Sequence, residues 1–226
     1  MKITKHQLAK ATRFETPYYM IKGSSNGNTV MVTAGVHGNE SASIIGAKKL
    51  VSHLQKNSLR INCGRLIIVP IVNQKAYKCH IRGIPDLNRT FPRNQHDKTA
   101  SHPLSAAIFN LAKQFQPTWY IDLHEARGLS KLNPRVLGQT LITNPQSKAI
   151  PAVKRVIGHM NRSIVQESKH FTIRLQKLPG SARTAANNLL NARAITVETS
   201  CVLPKAVRAN LQMRIVRHFL KEAGLI

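Results

Sequence analysis

Thr29-Val30-Met31-Val32-Thr33-Ala34, then Gly35-Val36-His37-Gly38-Asn39-Glu40, then a helical pattern from Ser41 to Leu54: this stretch decides the fold. An almost unbroken apolar run of six residues reads as a strand buried on both faces, because a half-buried strand would alternate. A glycine-bearing turn and a helix follow at once, and the unit recurs. Leu66–Val72, Trp119–Leu123 and Ala194–Val197 read as further buried strands, and Thr140–Thr143 as a shorter one. Pro103–Gln114, roughly Ser147–Glu167, and Ala182–Asn191 read as helices between them. Pro204–Ala223 reads as a C-terminal helix, with Pro204 near its start and Gly224 beyond its end. Strands alternating with helices predict one α/β domain over residues 1–226, its sheet mixed but mostly parallel and flanked by helices. In such sheets reactive residues gather where strands end and loops begin. The polar, turn-rich stretch Gly83–Lys98 is then a long loop crossing that edge.

The composition bounds the partners. With 34 Lys and Arg against 9 Asp and Glu the formal charge is +25, which favours anionic partners, an anionic cell-wall polymer among them. A basic surface without a dedicated partner reads equally well, since the charges are spread along the chain. Aromatic residues are 5% of the chain, too few for base-stacking platforms. No helix-turn-helix, RNA-recognition or zinc-finger pattern appears, so no specific nucleic acid is expected. Cys63, Cys79 and Cys201 form no close pair and argue against a disulfide framework. No apolar run is long enough for a transmembrane segment. Met1–Lys22 has no apolar core of a secretory signal. The sequence as given therefore reads as cytoplasmic, or extracytoplasmic if a signal was removed.

The chemistry-bearing residues fall at the strand ends. His37 and Glu40, three apart on a tight turn, can face one cation. His124 ends the strand Tyr120-Ile121-Asp122-Leu123, and strand ends in one sheet converge. Two His and one Glu, with a fourth position left for water, form a ligand set of catalytic zinc sites. Taken alone, His37 and Glu40 also read as a satisfied loop histidine and a carboxylate favoured by a helix N-terminus. Asp86-Leu87-Asn88-Arg89-Thr90-Phe91-Pro92 sets an amide beside a guanidinium, whose planar fork suits a substrate carboxylate. Glu198 ends the nearly all-apolar strand Ile195–Thr199, where an acid is costly unless paired or at a solvated rim. Glu40, Asp122 and Glu198, three of only nine acids, sit beside these motifs. Asp122, two before His124, is placed either to orient that ligand or simply as a strand-end carboxylate.

GVHGNE at 35–40, DLNRTFP at 86–92, DLHEA at 122–126 and TVET at 196–199, in that order, resemble the zinc carboxypeptidase superfamily, including its succinylglutamate desuccinylase and aspartoacylase branch. The resemblance spans residues 35 to 199 and implies a zinc carboxypeptidase-like catalytic domain. It implies one Zn2+ held by His37, Glu40 and His124, with Glu198 as general base and proton shuttle. Asn88 and Arg89 match the pair that grips a substrate carboxylate. Arg82 matches, more loosely, the arginine that steadies the oxyanion.

The family implies hydrolysis of an amide next to a carboxylate-bearing group. Leu178-Pro179-Gly180-Ser181-Ala182-Arg183-Thr184 resembles the loop of bacterial murein-peptide hydrolases. No Tyr lies in the loop before the base, unlike in digestive carboxypeptidases. The expectation is thus a bacterial metallocarboxypeptidase acting on small peptides, with an N-acyl amino acid deacylase as the alternative. A catalytically inactive basic binding module is the alternative of another class.

Overall fold

The computed structural model describes every residue from Met1 to Ile226 except Lys98, the last position of the loop expected over Gly83–Lys98. Eight strands form one sheet: β1 (Lys2–Leu8), β2 (Thr16–Lys22), β3 (Ser25–Ala34), β4 (Cys63–Val69), β5 (Trp119–Ala126), β6 (Thr140–Thr143), β7 (Thr172–Leu175) and β8 (Arg193–Ser200). Their order across the sheet is β1-β2-β4-β3-β5-β8-β6-β7. The centre, β4-β3-β5-β8, is parallel. The β1-β2-β4 margin is antiparallel, while on the other side β6 runs antiparallel to β8 and parallel to β7.

Among the described residues five α-helices lie between strands, α1 (Ser41–Gln55), α2 (Gln74–Lys78), α3 (Pro103–Phe115), α4 (Ile150–Asn161) and α5 (Ala182–Leu189), and a sixth, α6 (Lys205–Glu222), follows β8. The apolar runs are unbroken because the central strands are buried on both sides, and the pleat deals their residues alternately to two cores. Val30, Val32, Leu66, Ile68, Ile121, Leu123, Ile195 and Val197 pack against α1, α4 and α6. Met31, Ile67, Val69, Tyr120 and Ala194 pack against α3 and α5.

Several expectations from the sequence shift here. The edge hairpin β1-β2 went unread because Lys2, Lys5, His6 and Lys22 interrupt its alternation, as charges on a solvated edge do. β7 and the five-residue α2 are too short for a periodic signal. The strand expected to Val72 stops at Val69, because Pro70 has no N–H for a ladder. The helix expected over Ser147–Glu167 covers only Ile150–Asn161, with Pro151 in its first turn, where a missing N–H costs nothing. No helix among the described residues is long and apolar enough to cross a membrane.

Candidate metal centre and active site

The pleat and the register assemble the strand-borne half of the site. Thr33 pairs with Asp122, Asp122 with Thr196, and His124 with Glu198. Tyr120, Asp122 and His124 share one parity on β5, as Ala194, Thr196 and Glu198 do on β8. Since Tyr120 and Ala194 face the α3–α5 side, their partners at the strand ends emerge on that side too. His37 and Glu40 arrive from the turn after β3. Gly38 is required there, since a Cβ would lie 2.0 Å from the Ala76 carbonyl carbon, with α2 packed against the turn.

The ligand atoms of His37, Glu40 and His124 lie within 4.8 Å of one another, and all three residues are buried. His37 Nε2 lies 2.9 Å from Asp86 Oδ1 and His124 Nε2 lies 2.9 Å from Asp122 Oδ2. Each ring nitrogen of the two histidines thus faces a carboxylate; with the single proton of a neutral ring on Nε2, each Nδ1 presents its lone pair. Those lone pairs point at Glu40, with Nδ1 of His37 2.7 Å from Oε1 and Nδ1 of His124 2.8 Å from Oε2. Three buried acceptor groups turned on one another need a positive charge between them, whether a proton or a metal cation. Titration agrees. Burial alone would lower the His124 pKa, but the Asp122 and Glu40 carboxylates hold it well above its usual value. Burial alone would raise Glu40, but His124 and His37 hold it down at about 2. The two nitrogens and one carboxylate, each nitrogen backed by its own carboxylate, fit a divalent metal of the zinc type.

Glu198 is buried beside His124, and its Oε2 has no hydrogen-bond partner. Such an orphaned oxygen costs on the order of 1–3 kcal/mol. Burial pushes the Glu198 carboxyl up to about 8; His124 and Arg82 oppose the rise, and Glu40 and Asp122 add to it. A cation between the histidines would act against the rise.

The other half of the site is loop-borne. The expected long loop is present and carries a short 3-10 turn at Leu87–Arg89, whose N-cap Asp86 accepts from the Asn88 N–H at 2.9 Å. Asn88 is buried, its Oδ1 accepting from the Ala182 N–H at 3.2 Å and its Nδ2 3.1 Å from His124 Nε2. Arg89 is half-exposed and donates to its neighbour's carbonyl, Asn88 O, at 2.8 Å. Gly180 packs on this turn, where a Cβ would lie 2.6 Å from Arg89 O. The Pro179-Gly180-Ser181 turn thus sets the height of Arg89. Arg82 reaches Asp86 Oδ2 at 2.9 Å and comes within 3.6 Å of Glu40 Oε1. Burial acts to raise Asp86, and His37 and Arg82 outweigh it, holding the carboxyl far below its ordinary value. His37, Glu40, Arg82, Asn88, Arg89, His124 and Glu198 line one cavity of about 420 Å3, and Asp122 stands behind His124.

The structure adds residues that the sequence reading missed. Glu40 is the N-cap of α1 but makes no capping bond, because its carboxylate faces the two histidines. Glu125 takes over, accepting from the Ala42 N–H at 2.9 Å and pairing with Arg208 of α6. Gln212, one turn on, donates to the His124 carbonyl at 2.6 Å. Arg183 lies buried under the site and donates to Asn144; burial pulls it down to about 10, against Asp122 and Glu198. Only Asp86 had a local signal, its place two residues before Asn88. The others come from α5, α6 and the strand interior, where no spacing announces a contact.

Residues 26–221 match the model of the succinylglutamate desuccinylase/aspartoacylase catalytic domain. Over 108 residues the chain is 34% identical to the succinylglutamate desuccinylases of Burkholderia cenocepacia and Burkholderia lata, covering 43% of this chain and 30% of each relative. The match thus spans less than a third of those proteins' length. Among solved structures, tripeptide-bound Csd4 of Helicobacter pylori, a cell shape determinant, superposes with a TM-score of 0.76 at 15% identity, covering 92% of this chain and 55% of that one. An aspartoacylase family protein of Mesorhizobium loti gives 0.69 at 22%, covering 99% and 68%. Carboxypeptidase A of Helicoverpa armigera gives 0.74 at 15%, covering 98% and 68%. At these identities the likeness is one of fold.

Proposed function

The chain belongs to the succinylglutamate desuccinylase/aspartoacylase catalytic-domain family, and from that premise we propose that it is a zinc-dependent hydrolase of an amide bond next to a carboxylate-bearing group. One observation carries the reading: three mutually facing acceptor groups, His37, Glu40 and His124, stand beside a buried glutamate with a free oxygen. When bound, zinc supplies a water of pKa near about 7 and polarises an amide carbonyl.

The protein's own residues do the rest. Glu198 accepts a proton on its carboxylate from the attacking water and returns it to the leaving nitrogen. Its position beside His124 is set by strand register, so the base does not depend on loop order. Arg82 brings its guanidinium to the ligand cluster and stabilises negative charge developing on the carbonyl oxygen. Asn88 and Arg89 hold the substrate carboxylate. A cavity of about 420 Å3 suits a small molecule or the end of a peptide.

The family match favours N-acyl amino acids as substrates. Trimming of a peptide's C-terminal residue is the second reading, favoured by the Leu178–Thr184 loop and its likeness to murein-peptide hydrolases. Mass spectrometry of products from N-acyl amino acids and from short peptides, with zinc-loaded protein, separates the two. Glu198→Gln is expected to keep its zinc and lose about 10²- to 10⁴-fold in rate. Turnover near the wild-type rate in that variant would remove Glu198 from the mechanism, and no turnover of either class by the wild type would refute the hydrolase reading.

A further inference from the structure

We infer that Thr33 and Tyr120 are positioning residues for the metal centre, forming a buried hydrogen-bond chain that fixes the Asp122 carboxylate against His124. The inference rests on His124 being a metal ligand, as proposed above. Thr33 Oγ1 lies 2.7 Å from Asp122 Oδ1 and 3.1 Å from the Tyr120 hydroxyl. Thr33 has one hydroxyl proton and a carboxylate has none to give, so Thr33 donates to Asp122 and Tyr120 donates to Thr33. Asp122 Oδ2 then accepts from His124 Nε2 at 2.9 Å. The order runs from Tyr120 to Thr33, Asp122 and His124, with every donor and acceptor assigned.

Burial makes the chain consequential. Thr33 and Asp122 are 0% exposed, and Tyr120 and His124 are 2% exposed, so water does not compete for these bonds. Thr33 and Asp122 face each other across the β3–β5 pairing, and the parity that points Tyr120 and His124 to one side puts them on that face. Asp122 could otherwise rotate about its terminal bond, which is broad and nearly two-fold. The Thr33 hydroxyl holds one oxygen and thereby aims the other at Nε2, which fixes the ring and the direction of the Nδ1 lone pair. The hydroxyls have no part in the proton transfers assigned to Glu198. Their effect belongs in how tightly the metal is held.

The test is zinc affinity, measured by chelator competition on the full chain, with the melting temperature of the metal-free protein recorded in parallel. Thr33→Val keeps the β-branched shape and removes the hydroxyl; it is expected to weaken zinc by about 10-fold. Thr33→Ser restores the hydroxyl and is expected to recover affinity to within about 2-fold. Tyr120→Phe leaves the Thr33–Asp122 bond in place and is expected to cost roughly 3-fold. Wild-type affinity in Thr33→Val overturns the inference, as does failure of Thr33→Ser to recover it. A loss that merely follows the metal-free melting temperature across the three variants also overturns it, leaving only a structural role. Should the wild type bind no stoichiometric zinc, the metal-site reading falls and this inference with it, an outcome distinct from the others.

Discussion

The two histidines of the candidate metal centre are held in contrasting ways. His124 sits in mid-sheet, its Asp122 partner fully buried and itself held by Thr33. His37 sits on a turn, and its Asp86 partner is a half-buried loop carboxylate shared with Arg82 and, at 3.9 Å, Arg89. On the first side the geometry follows from strand pairing, with Glu198 locked in register. On the second, Asp86 links the metal ligand to the arginines assigned to the substrate. One half is fixed by the sheet and lies away from the arginines; the other is built on a loop and touches them.

Replacing each carboxylate in turn tests that contrast. Asp122→Asn is expected to weaken zinc by up to about 100-fold and Asp86→Asn by about 10-fold, since water can replace part of what the half-buried Asp86 supplies. Equal losses in a chelator titration would mean that burial does not distinguish the two. Arg89→Ala is expected to raise KM by about 30-fold for substrates with a free carboxylate, the worth of one charged hydrogen-bonded contact. Their amide-capped counterparts should hardly respond, and a rise shared by both would leave the loop without its reading role.

The smallest effect concerns the metal-free protein. Burial raises Glu198 to about 8 in the fold, from 4.5. An acid raised on folding binds its proton more tightly in the native state, so its contribution is full below pH about 4.5 and is lost as pH climbs towards about 8. Glu198→Gln should therefore stabilise the metal-free protein at pH 8 by on the order of 1 kcal/mol, and by much less at pH 5. Thermal melts at the two pH values decide it; identical shifts would mean that the strand-borne half carries no such charge penalty.

The parts of this site legible in the sequence are those where chemistry and local structure coincide. His37 and Glu40 share one turn, and His124 and Glu198 interrupt apolar runs at their ends. The central strands were readable for the same reason, being continuous and apolar. The edge hairpin was not, because its residues answer to solvent on one side. Asp86 was visible only as a turn residue, since its bond to His37 spans 49 positions. Thr33 and Tyr120 look like ordinary strand residues until pairing brings them onto one face. Glu125 and Arg208 lie 83 positions apart and meet only once α6 has docked.

The relief of Glu40 by Glu125 reaches beyond the metal site. A helix whose first turn is fastened by its own capping residue would fray whenever that residue is recruited elsewhere. Here the fastening comes from Glu125 on the neighbouring strand β5, itself paired with Arg208, so it does not depend on what Glu40 engages. Loading and unloading of a metal at the proposed site would thereby be decoupled from the integrity of α1, and an empty site would not loosen a wall of the core.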